Sequence, residues 1–71
     1  MKDLIGRVFF DEDHYDYDGN VEFEGGLFVV ESIKTGGFVM CIRKDNPSGD
    51  REKYKVKDVK EMIQEYEEDL L

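Results

Sequence analysis

Apolar and polar residues alternate with a period of two over most of the chain and change to a period of 3.6 near residue 59. The stretch 4–10 is rich in β-formers, with Leu4, Val8 and Phe10 in one phase and Ile5, Arg7 and Phe9 in the other, which predicts a first strand there. Residues 11–18 read as an acidic loop carrying two tyrosines and ending in the turn signal Asp18-Gly19. Val21 and Phe23 then point one way while Glu22 and Glu24 point the other, the mark of a half-buried strand over 20–24, and Gly25-Gly26 is expected to reverse the chain. The run Leu27-Phe28-Val29-Val30 opens a strand over 27–33 that is apolar in both phases, so this strand is expected to be covered on both faces. Thr35-Gly36-Gly37 turns into a fourth strand over 38–43, with Phe38, Met40 and Ile42 on one face and Val39 and Cys41 on the other. After Asn46-Pro47-Ser48-Gly49, a fifth strand over 52–57 places Glu52, Tyr54 and Val56 in one phase and Arg51, Lys53, Lys55 and Lys57 in the other.

Val59, Met62, Ile63, Tyr66 and Leu70 fall on one stripe of a helical wheel, opposite Glu61, Glu65, Glu68 and Asp69, which predicts an amphipathic helix over 59–69. Asp58 is placed to cap it, with Glu61 completing a capping box. Five short strands joined by glycine turns and closed by one helix give an α+β class: a small five-stranded antiparallel barrel or bent sheet with a C-terminal helix, in a single domain of 71 residues. The stretch from Gly19 to Val30 resembles the central hairpin of phage YopX-type proteins and other SH3-like barrels, and Tyr54-Lys55-Val56-Lys57-Asp58-Val59 is similar to the closing strand and exit turn of such barrels. The resemblance implies an SH3-like barrel and a phage origin.

A chain of this length buries only about 60% of the surface its unfolded form exposes, a deficit that a homodimer would relieve. Its one cysteine, Cys41, excludes an intramolecular disulfide. With no apolar run near the roughly 20 residues of a membrane span, the chain reads as cytoplasmic.

Charge changes the picture most. Residues 1–25 hold eight carboxylates against Lys2 and Arg7, residues 61–71 hold five with no base, and residues 43–60 hold seven bases against four acids; the net charge is −8. Such a field attracts basic surfaces and repels nucleic acid over about 8 Å at physiological salt. The expected partner-binding surface is therefore the loop Asp11, Glu12, Asp13, Asp16 and Asp18 together with the helix arc Glu61, Glu65, Glu68 and Asp69, with Tyr15 and Tyr17 as anchors. Rows of carboxylates stand in for phosphates in the phage-encoded acidic inhibitors that mimic nucleic acid, which this chain resembles in size and charge. The expected partner is a basic host protein, with nucleic-acid-binding proteins among the candidates. The acids also have a plainer reading, as solubilising charge.

Two alternatives come from other features. One is an SH3-like module accepting a peptide along exposed aromatics. The other is direct nucleic-acid binding through Arg43, Lys44, Arg51, Lys53, Lys55 and Lys57, whose neighbours in one phase stand about 6.6 Å apart, close enough to follow a phosphate backbone; cross-strand pairing of these bases with Glu22, Glu24 or Glu31 is the competing reading.

No metal, cofactor or catalytic role is expected. Residues 14–25 partly fit a calcium loop, with Asp16 and Asp18 at its third and fifth positions and Gly19 at its sixth, but His14 and Gly25 replace the terminal carboxylates. His14 alone with flexible acids is a poor transition-metal site. Cys41, in an apolar strand, lacks the base and positive surroundings a nucleophile needs.

Overall fold

In the computed structural model, which describes residues 4–71, the chain forms six strands and one helix: β1 (Val8–Asp11), β2 (His14–Tyr15), β3 (Val21–Phe23), β4 (Gly26–Lys34), β5 (Phe38–Arg43), β6 (Glu52–Lys55) and α1 (Val56–Asp69). Four of them make a curled antiparallel sheet in the order β1-β4-β5-β6, and β2 and β3 make a separate two-stranded sheet. The fold is thus α+β with a half-barrel sheet, but the strands do not form the single five-stranded unit expected from the sequence.

The difference lies at Gly25-Gly26, which does not reverse the chain. β4 pairs with β1 (Phe9↔Phe28, Asp11↔Gly26) and β3 pairs with β2 (His14↔Phe23), so residues 8–30 form one long hairpin, bent sharply between its two sheets. At the bend the two arms nearly touch. A Cβ on Gly25 would lie 2.5 Å from the Glu12 carbonyl carbon and 2.7 Å from the Asp13 nitrogen, closer still to the Asp11 carbonyl oxygen. Glycine is required there for close approach rather than for a turn. Asp13 Oδ1 fastens the bend by accepting the Gly25 N–H at 2.6 Å. The reversal comes at the hairpin tip, where Asp16 Oδ1 accepts the N–H groups of Asp18 and Asn20 at 2.9 and 3.0 Å.

Phe9, Phe28, Val30, Val39 and Cys41 face the concave side of the large sheet, where Val56, Val59 and Ile63 of α1 and Leu4 complete the core. A tight turn, in which the Arg7 N–H donates to the Leu4 carbonyl at 3.0 Å, replaces the start of the expected first strand. It drops Leu4 into the same core as Phe9, although alternation sets the two in opposite phases. β4 carries a bulge at Glu31, since Val30 pairs with Cys41 and Ser32 with Met40. The extra residue shifts the phase by one and returns Ile33 to the core side.

Helix α1 packs on β1 and β6, the two edges of the curled sheet. It starts at Val56, three residues before the expected start. Lys55 is its N-cap residue and makes no side-chain cap, so the capping box of Asp58 and Glu61 does not form. Asp58 lies inside the first turn, where its charge still favours the positive end of the helix dipole. At the other end the stripe stops short: Leu70 is 68% exposed. The expectation that β4 is covered on both faces is also corrected, because α1 covers only the concave side and no described element lies on the other.

Candidate acidic groove

Asp11 ends β1 with its side chain turned toward β6, and there it joins the two sheet edges. Its Oδ2 accepts a hydrogen bond from the Tyr54 hydroxyl at 2.8 Å, and its Oδ1 lies 3.2 Å from His14 Nε2. Tyr54 packs edge-on against Phe9 and Phe28, with ring centroids 5.3 and 5.7 Å away. Burial pushes the Tyr54 phenol well above its ordinary range, and the hydrogen bond to Asp11 adds to that. Asp11 is itself buried and satisfied, which makes it a structural clasp rather than a free docking charge.

Around this clasp, the base of the hairpin and one flank of α1 enclose an open groove of about 570 Å³. Phe10, Met62 and Tyr66 supply its apolar floor, while Asp11, Glu12, His14, Glu65 and Asp69 supply its walls. The geometry follows from short-range rules. Phe9 and Phe10 are adjacent in a strand, so one must face away from the core, and Phe10 is left 50% exposed. Met62, Tyr66, Glu65 and Asp69 repeat at three- and four-residue spacing and therefore line one helix flank. Acids from residues 11–12 and from 65–69, far apart in sequence, meet across a few side chains.

The remaining sequence candidates are distributed differently. Asp13 and Tyr15 line an adjoining groove with Phe10 and Glu12, on the outer side of the bend. Asp16, Tyr17 and Asp18 occupy the hairpin tip, with Tyr17 fully exposed and Asp16 engaged in the tip turn. Glu68 lies on the other flank of α1, in a depression shared with Leu4, Arg7 and Glu67, and Glu61 is exposed outside either depression. The loop and the helix arc thus share one groove only in part. Phe10, Met62 and Tyr66 were missed as site residues because strand and helix periodicity assign them to the core. The signal for Phe10 was its adjacency to Phe9.

The expected basic stripe is broken up. Arg43 turns to the core side, donating to the carbonyl oxygens of Glu24 and Gly25 at 2.5 and 3.2 Å and lying over the rings of Phe23 and Phe28. Arg51 makes a two-pronged ion pair with Glu31, at 2.5 and 2.7 Å, whose hydrogen bonds lower the Glu31 pKa and raise that of Arg51. Lys57 is helical and leaves the row. Lys53 lies over the Phe38 ring, 4.3 Å from its centroid, and Lys44 and Lys55 are exposed.

Burial alone raises the Cys41 thiol to about 12, so the thiol stays protonated and unreactive at neutral pH. Among the described residues, no group of three or more His, Cys, Asp and Glu side chains is arranged to hold a metal ion, and no helix is long and apolar enough to cross a membrane. Compared with protein-family models, curated proteins and solved structures, the chain matches none.

Proposed function

We propose that this chain is a non-enzymatic acidic interaction protein that docks on a basic protein surface through the groove between β1 and α1. One observation carries the reading: carboxylates from opposite ends of the chain, Glu12 on one side and Glu65 and Asp69 on the other, flank a floor made of Phe10, Met62 and Tyr66. Such a groove suits a lysine or arginine side chain, whose methylenes pack on the floor while its charge meets the walls. Charge scattered for solubility alone has no need of an apolar floor between its members. A partner whose own ligand is nucleic acid fits this chemistry, since it presents arginine and lysine in rows, and the chain would then act as an inhibitor or nucleic-acid mimic.

The test is titration with an arginine-rich peptide, followed by amide chemical shifts. The largest shifts are expected at Phe10, Glu12, Glu65, Tyr66 and Asp69, with affinity falling steeply as salt rises. Glu65→Lys with Asp69→Lys should abolish binding, whereas Glu61→Lys with Glu68→Lys, off the groove, should weaken it little. Shifts spread evenly over the acidic surface, or equal losses in the two double variants, would leave the acids as solubilising charge. Binding that survives salt would favour the SH3-like reading, in which the aromatics dominate.

A further inference from the structure

β4 and β5 are apolar in both phases, as strands buried on two faces are, yet α1 covers only the concave face of the sheet. The register identifies what is left on the other side. Val8, Val29 and Ile42 stand in one row across three strands, Phe10 and Leu27 pair in the next, and Met40 follows beyond the bulge. All six are partly or half exposed. An antiparallel sheet built to face water would place polar residues at these positions.

We propose that this convex face is the interface of a symmetric homodimer. The charge around the apolar patch argues for a second copy. At one corner, where β6 pairs with β5, Lys53 and Lys55 point outward beside Met40 and Phe38, and among the described residues no carboxylate pairs with either. At the diagonally opposite corner, beyond the Phe10 end of β1, Glu12 and Asp13 line the outer groove with Tyr15. A two-fold axis running along the other diagonal of the sheet lays each basic corner on the acidic corner of its mate. The apolar row is then centred on itself, with the two sheets crossing steeply as in orthogonal packing. The face is thus complementary to its own copy, whereas the net charge of −8 is spread over the rest of the molecule. The convex face shares Phe10 and Glu12 with the acidic groove but not Met62, Glu65, Tyr66 or Asp69, and the inference does not depend on that groove's function.

Analytical ultracentrifugation over a concentration series tests it. The expected species has twice the 8.3 kDa mass of the chain. Val29→Lys, at the centre of the patch, should raise the dissociation constant at least about a hundredfold, as expected for a charge buried without a partner. Lys53→Glu with Lys55→Glu should raise it about tenfold, and adding Glu12→Lys should recover part of the loss. These three positions are exposed, so the charge variants remain informative if circular dichroism finds Val29→Lys unfolded. A wild-type monomer up to NMR concentrations overturns the proposal, and so does a dimer that all these variants leave unchanged.

Discussion

Gly25 shows at the scale of one residue how close packing, rather than backbone freedom, dictates a side chain, or the lack of one. The two arms of the bent hairpin cross at backbone contact, and a methyl group there would displace the Asp11–Asp13 backbone, which cannot yield as a flexible side chain could. Gly25→Ala is therefore expected to lower stability by more than about 2 kcal/mol in chemical denaturation, in the range of overpacked or strained sites; a wild-type midpoint would show that the arms separate freely. Gly36, by contrast, turns β4 into β5 at φ +90°, with no neighbour closer than 3.6 Å, so its requirement is conformational. In the sequence these two glycines look alike. Reading Gly25-Gly26 as a reversal was the natural inference, and it failed because a glycine that admits a neighbouring strand leaves the same letter as one that turns.

At the scale of the element, α1 is a helix whose charges oppose its own dipole. Its first turn carries Lys57 beside Asp58, and its last turn carries Glu67, Glu68 and Asp69 with no base. Relief comes from another element: Arg7, just before β1, donates from both Nε and Nη2 to Glu67 Oε2. Arg7→Ala should lower the unfolding free energy by a few tenths to about 1 kcal/mol, the scale of a partly exposed ion pair at a helix end, with a loss that shrinks at high salt. A salt-independent loss would instead point to packing of the arginine stem. The helix itself was legible from period alone, as were β4, β5 and the inward side chains of Tyr54 and Val56. Its start was not, because Val56 points inward equally well as the next residue of β6 or the first of α1. The bulge at Glu31 and the pairing of β2 with β3 were also hidden, since both depend on which strands meet across the sheet and leave no mark in local alternation.

At the scale of the whole molecule, two neutral groups held deep in the fold tie stability to alkaline pH. Cys41 rises to about 12 from an ordinary 9.0 because of burial, and Tyr54 rises above its ordinary 10.0 through burial and its bond to Asp11. Both folded values exceed the unfolded ones, so each contribution is complete below the unfolded value and is lost as pH climbs past it. The loss begins near pH 9 for the thiol and near pH 10 for the phenol, at up to about 1.4 kcal/mol per pH unit for each. Ionising either group also adds negative charge to a chain already at −8, which strengthens self-repulsion in the same direction. The thermal midpoint should accordingly decline from about pH 9 and more steeply above pH 10. In Cys41→Ala, less stable throughout, the first stage of that decline should disappear while the second stays, and in Tyr54→Phe the order should reverse. Parallel profiles in all three proteins would mean that the alkaline limit is set by overall charge and not by the groups that close the sheet. Asp11, which clasps Tyr54 across the sheet edges, also lines the acidic groove, so the proposed binding site should be lost together with the fold as pH rises.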